Sequence, residues 1–380
     1  LNRAVLGFTE ARTKMLAIIN DQLMKRRIHD VAPDNRSFET LAEAVFAEVI
    51  GLNVLELVLK QKEDLEEIQV VGKQIFEVRN GIPVKSPYEF QSIAEVERLQ
   101  QNLVLYNNDT INTRKRWAEV TLRDGSRVTM TGFGFTAEPT LTIRFYKKKY
   151  FDLHALTRPE IGTMNERMAE IVQAVLRSYF NMVVIGATNT GKTNLIKAFI
   201  GAMPDHERIV TIESRFELML KRDFPHKNVI EYEAAEDDGL HNSSQAFKLA
   251  LRQSPKRICH AEIRDDDANI YVRACTRGHE GSITSVHANS LEDVPDAIAD
   301  MCMLDGRGMD PGRLVRRIAE YVTQIGFEMD IVGGRRKLVR IGEIVYINGE
   351  IRVIDLVRYD YGKRDWVFPG KFTLRSSHRI

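Results

Sequence analysis

The chain has 380 residues, with 54 Lys+Arg against 53 Asp+Glu and a formal net charge of +1. That length predicts two or three domains, and 43% hydrophobic with 28% charged residues builds packed cores, which excludes wholesale disorder. Charge balance excludes a polycationic nucleic-acid coat and an acidic tail protein, though not a local basic patch. No apolar run approaches the ~18 residues of a membrane-spanning helix, and no secretory signal opens the chain. Three dispersed cysteines, Cys259, Cys275 and Cys302, fit neither a disulfide framework nor a tetracysteine zinc module, so they read as small buried hydrophobes of a soluble, reducing-compartment protein. The chain starts at Leu1 rather than Met, which suggests that a segment precedes it.

Residues 1–50 predict a helical leader. Met15, Leu16, Ile18, Ile19 and Leu23 recur at helical spacing ahead of Lys25-Arg26-Arg27; after a break at Ala32-Pro33-Asp34-Asn35 a second apolar face runs through Phe38, Leu41, Val45, Phe46 and Val49. Residues 51–150 predict a small α+β domain with a mostly antiparallel sheet. Its strands flank turns at Asn80-Gly81 and Asp124-Gly125, with Leu141–Phe145 as a further strand and a helix over 92–105. The Lys147-Lys148-Lys149 run leads into a linker over 151–160. Residues 161–380 then open with a helical stripe from Met168 to Tyr179 and alternate strands with helices: 182–185, 208–213, 228–232, 257–263 and 282–286. Such alternation predicts a mostly parallel sheet covered on both faces. From Ile331 to Val367 the pattern returns to hairpins, one of them at Asn348-Gly349.

The segment Gly186-Ala187-Thr188-Asn189-Thr190-Gly191-Lys192-Thr193, followed by Asn194, matches G-x-x-x-x-G-K-[ST] in full. An apolar strand precedes it and a helix follows, which is the context the chemistry needs. Glycines let the backbone wrap a phosphate, whose charge meets several N–H groups and the positive helix end. Lys192 reaches the β and γ phosphates, and the Thr193 hydroxyl binds Mg²⁺. ATP and Mg²⁺ are therefore the expected cofactors. A match to this pattern arises by chance on the order of once per hundred such chains, before its context is required.

Hydrolysis also needs a positioned water and compensation of developing charge. Glu213 ends the apolar strand Ile209–Ile212, and Glu262 ends Arg257–Ala261 about 70 residues after the loop. Doubly wound folds bind ligands at such strand ends. Each acid fits a Mg²⁺–water contact or a general base; periodicity alone leaves either as a salt-bridge partner. His287 follows a strand within Gly278–Asn289 and fits a γ-phosphate contact, although a lone histidine is more often structural.

In this order the motifs resemble those of the secretion-superfamily ATPases, the traffic ATPases of type II and type IV secretion, type IV pili and Tad pili. Residues 208–213 look like that family's Asp box, Leu251 to Arg264 like its Walker B segment, and Gly278 to Ser290 like its His box; the resemblance spans about residues 52–345. It implies a RecA-like P-loop domain preceded by a PAS-like α+β domain, with MgATP between the two and a homo-hexameric ring. It implies Glu262 as general base or water-positioning acid and metal contact, Glu213 in support of Mg²⁺ or the water, and His287 as γ-phosphate sensor. Leu122-Arg123-Asp124-Gly125-Ser126-Arg127 and Thr142-Ile143-Arg144 resemble the family's N-domain strands, which nominates Arg127 and Arg144 as phosphate-contacting arginines. From sequence alone each is an exposed strand residue.

The partners so implied are inner-membrane platform or secretion-channel proteins, with peripheral association at the cytoplasmic face of the inner membrane. The helical leader points to the Tad pilus or conjugation branch. Departures are Ser214 after Glu213, Ala261 before Glu262, Asp265-Asp266-Asp267, and Thr276-Arg277. Three further readings are a RecA-like nucleic-acid motor, resting only on the two basic runs, a small-molecule kinase, and a nucleotide-binding scaffold that does not hydrolyse. Nucleic acid is not the expected direct ligand.

Overall fold

The computed structural model describes residues 9–31, 38–62, 64–79, 81–105, 107, 109–122, 124–145, 152–234, 239–264, 267–304 and 310–380. The break at Ala32–Asn35, Asn80, Arg123, the Lys147-Lys148-Lys149 run and Asp265-Asp266 lie outside these residues. The chain divides into two compact units, 1–148 and 149–380.

In the first unit, α1 (Thr9–Lys25) and α2 (Leu41–Val49) pack together through Met15, Leu16 and Ile19 against Phe46 and Ile50. Thr40 caps α2 by accepting from the Glu43 amide at 3.2 Å, which satisfies one of the first-turn donors. Two positions expected on apolar faces differ. Ile18 and Val49 are exposed, because α2 buries the stripe Ala42, Phe46, Ala47, and Val49 falls outside it.

After α3 (Leu55–Lys60) come β1 (Leu65–Val71), β2 (Gln74–Arg79), β3 (Ile82–Glu89), α4 (Ile93–Leu105), β4 (Trp117–Thr121), β5 (Arg127–Thr131) and β6 (Thr140–Arg144). They form one sheet in the order β3-β2-β1-β6-β5-β4, antiparallel at every pairing. The Asp124-Gly125 turn closes β4 on β5, with Gly125 at φ 84° and the Ser126 amide donating to Asp124 Oδ1 at 3.0 Å. Helix α4 lays Val96, Leu99 and Leu103 on the sheet. Gln100, fully buried, donates from Nε2 to the carbonyls of Thr131 and Thr140, at 3.0 and 2.8 Å.

The second unit runs α5 (Leu153–Thr157), α6 (Glu166–Arg177), β7 (Met182–Ile185), α7 (Lys192–Ala202), β8 (Ile209–Glu213), α8 (Leu220–Asp223), β9 (Val229–Glu233), α9 (Ser243–Leu251), β10 (Arg257–His260), α10 (Ala268–Cys275) and β11 (Ile283–Ser285). It continues through α11 (Val294–Met303), α12 (Pro311–Tyr321), β12 (Ile325–Val332), β13 (Arg335–Ile347), β14 (Glu350–Asp360), β15 (Asp365–Val367) and α13 (Leu374–Ser377). One nine-stranded sheet has the order β15-β14-β13-β12-β7-β11-β10-β8-β9. From β12 to β9 neighbouring strands are parallel, whereas β12 to β15 are antiparallel. Helices α6 and α7 cover one face and α9 to α12 the other, as parallel strands buried on both sides require.

Two boundaries depart from the sequence-based expectation. The strand expected over 257–263 ends at His260, so Glu262 lies on the bend beyond it rather than in the ladder. The hairpins start at Ile325 and extend the main sheet, because β12 pairs with β7 on one side and β13 on the other. All three cysteines are free and buried. No helix among the described residues is long and apolar enough to cross a membrane.

Candidate active site

Parallel strands end on the same edge of a sheet, so segments far apart in sequence meet there. At this carboxyl edge β7 delivers the glycine-rich loop, β8 ends in Glu213, and His260 of β10 stands in register with Ile212 of β8 and Thr284 of β11. The ligand crevice of open α/β sheets lies at this edge.

The loop is built by backbone that few residues tolerate. Gly186 has φ 143°, and a Cβ there would sit 2.4 Å from the Met329 carbonyl oxygen of β12. Gly191 caps α7 at φ 97°, and Asn189 adopts φ 67°. Thr190, buried, donates its hydroxyl to the Ala187 carbonyl at 2.8 Å. Lys192 Nζ donates to the carbonyls of Gly186 at 2.7 Å and Ala187 at 3.1 Å. Its ammonium thus spans the concavity that a phosphate would fill. Desolvation lowers the Lys192 pKa, and the charge of Glu262 acts in the opposite direction. Ala187, Thr188, Asn189 and Asn194 are exposed, and Thr193 is half-buried at the first turn of α7. From β13, Arg336 Nε donates to the Asn189 carbonyl at 2.8 Å.

Glu262 and His287 come together: His287 Nε2 is 2.7 Å from Glu262 Oε1, while Arg264 lies 3.3 Å from Oε2. Glu262 is half-buried and the His287 imidazole more exposed. The Glu262 charge also acts on Lys192.

Glu213 is placed differently. It is 2% exposed, and its Oε2 accepts the amides of Glu217 and Leu218, each at 2.9 Å. Its carboxylate therefore closes the turn that follows β8. Desolvation pushes its pKa up to about 8; those two amides pull it down, and the charges of Glu231 and Glu217 push it further up. Its Oε1 is the freer oxygen, with the Thr211 hydroxyl 3.5 Å away.

Sequence reasoning passed over a buried pair beside this cluster. His260 Nε2 lies 2.7 Å from Asp267 Oδ2; Oδ2 accepts from the Ser243 hydroxyl at 2.8 Å and Oδ1 from the Arg264 amide at 3.0 Å. Burial works to raise the Asp267 pKa, but His260 and these hydrogen bonds bring it below the usual value. The pair ties the end of β10 to the start of α10 on either side of Glu262. In the sequence Asp267 is one of three consecutive aspartates with nothing to mark it as a partner of His260.

Arg127 and Arg144 belong to the first unit. They are direct cross-strand partners on β5 and β6, and Arg144 Nε donates to Glu67 Oε2 at 3.2 Å.

The profile of the family described as "Type II/IV secretion system protein" matches residues 111–325. A Mycobacterium tuberculosis protein provisionally described as a conjugal transfer protein is 26% identical over 329 residues, covering 84% of this chain and 91% of that one. The type IV secretion system protein PtlH of Bordetella pertussis is 32% identical over 170 residues, 44% of this chain and 50% of that one. Among solved structures, the Legionella pneumophila ATPase DotB shares the fold with a TM-score of 0.57 at 16% identity, covering 82% of each chain.

Proposed function

The chain belongs to the type II/IV secretion system protein family, and from this and the site geometry we propose that it is an ATPase with a RecA-like P-loop domain, assembled as a homo-hexameric ring. It would power secretion or pilus assembly through membrane-embedded platform or channel proteins, from the cytoplasmic face of the inner membrane. The observation that carries the reading is the Glu262–His287 pair at 2.7 Å, beyond strands that end on the same sheet edge as the one leading into the Lys192 loop.

The residues present fit MgATP. A bare Lys192 ammonium lies on two loop carbonyls, and phosphate oxygens offer it stronger, charge-assisted acceptors. The main chain of Gly186–Thr193 binds and encloses the phosphates, with Asn194 behind them at the start of α7. Thr193, Glu262 and, once it gives up its proton, the Oε1 atom of Glu213 would hold Mg²⁺, which neutralises phosphate charge when bound. Glu262 orients the attacking water and receives its proton. His287, with Nε2 at 2.7 Å from the Glu262 carboxylate, would hold that carboxylate in place and meet the γ-phosphate. Arg127 and Arg144 are assigned to the phosphates as charge-compensating residues, so that hydrolysis depends on the first unit. No observation favours a nucleic-acid motor.

Glu262→Gln keeps the shape of the acid and removes its charge. ATP hydrolysis should fall about 100-fold or more, with ATP binding retained and a six-chain species still seen by native mass spectrometry. Hydrolysis at the wild-type rate in this variant would refute the assignment.

A further inference from the structure

Three consecutive cations, Arg335, Arg336 and Lys337, open β13. None has a carboxylate within ion-pair distance among the described residues; each instead donates to a main-chain carbonyl. Arg335 Nη1 reaches Pro159 at 2.9 Å and Lys337 Nζ reaches Gly162 at 3.0 Å. Arg336 takes the opposite side of the strand, since side chains alternate, and its Nε reaches Asn189 in the phosphate loop at 2.8 Å.

The contact is close as well as polar. A Cβ on Gly191 would lie 3.1 Å from Arg336 Cδ, so the arginine stem lies against the loop where it turns into α7. The side chain is exposed at its end, and beyond Nε no polar contact of its guanidinium occurs among the described residues. A neutral donor would serve to tie down one carbonyl. What stands here is a planar fork with donors to spare and a charge that is not offset, beside a loop shaped for an anion.

We propose that Arg336 is a phosphate-contacting residue of the nucleotide site, holding the loop main chain through Nε and a phosphate oxygen of the bound nucleotide through its Nη groups. The proposal rests on the nucleotide-binding reading above. Guanidinium suits this task because it stays charged and presents parallel donors to phosphate. The neighbouring Arg335 and Lys337 bind carbonyls of the 159–162 segment. The same short run of β13 therefore links that segment to the glycine-rich loop.

The test is calorimetric titration of ADP and of a slowly hydrolysed ATP analogue into the full chain at several salt concentrations, for wild type, Arg336→Gln, Arg336→Lys and Lys192→Ala. Arg336→Gln should weaken both ligands about tenfold, in line with loss of a hydrogen bond to a charged group. It should also flatten the dependence of affinity on salt, because a screened attraction is gone. Arg336→Lys should keep the salt dependence and recover part of the affinity. Wild-type affinity in Arg336→Gln, or weakening with an unchanged salt dependence, would overturn the proposal and leave Arg336 a tie for the loop. A wild-type chain that binds neither ligand, or a Lys192→Ala variant that binds as well as wild type, would instead overturn the nucleotide reading beneath it.

Discussion

Replacing Glu213 with glutamine should make the second unit more stable in mild alkali. Burial raises the folded-state pKa of this acid from 4.5 to about 8, while the unfolded chain keeps the ordinary value. Between those limits the folded chain holds a proton that the unfolded chain has released. Stability is therefore full below pH 4.5 and falls as pH rises toward 8, by about 1.4 kcal/mol per pH unit. Across the window the loss is about 5 kcal/mol, with no discount for solvent because the side chain is 2% exposed. The amide of Glu213→Gln is neutral at every pH, and its oxygen can still accept from Glu217 and Leu218. The variant should match wild type within about 1 kcal/mol at pH 5 and exceed it by about 4 kcal/mol at pH 8.5. Urea unfolding read by Trp366 in a Trp117→Phe background isolates the second unit, and the difference between variant and wild type cancels other titrations. Parallel stability profiles for the two chains would refute the reasoning.

Two other substitutions probe the frame around the site. Gly186→Ala must place a Cβ 2.4 Å from the Met329 carbonyl oxygen at φ 143°, so it should cost about 3 kcal/mol of stability. It should also abolish nucleotide binding; a wild-type urea midpoint with intact binding contradicts this. Arg257, 2% exposed, donates from Nε to Glu207 at 2.6 Å and from Nη2 to the Leu176 carbonyl at 2.9 Å. Arg257→Ala strands the Glu207 charge and should cost about 3–5 kcal/mol in the same assay. Pairing it with Glu207→Gln should recover part of that loss, and additive losses would argue against the ion pair.

Much of this architecture could be read directly from the sequence. The glycine-rich loop announces itself because its pattern is local: glycines that permit φ of 143° and 97°, a lysine and a threonine at fixed offsets, a buried strand before and a helix after. The Asp124-Gly125 and Asn348-Gly349 turns are equally local, and both stand where their hairpins close. Boundaries were harder. The β10 segment reads as apolar through Ile263, but only Arg257–His260 have partner strands.

What tertiary structure alone decided concerns distance and direction. Parallel pairing brings the ends of β7, β8, β10 and β11 to one edge, so Glu262 and His287 meet although 25 residues separate them. The same packing turns the Glu213 carboxylate inward onto two backbone amides, and no spacing rule could have separated that acid from Glu262. It sets Asp267 against His260. It also brings Arg336 to a loop 147 residues earlier in the chain. Sequence specifies which groups a segment offers; whether a carboxylate meets water, an amide or a histidine is set by neighbours that only the assembled sheet supplies.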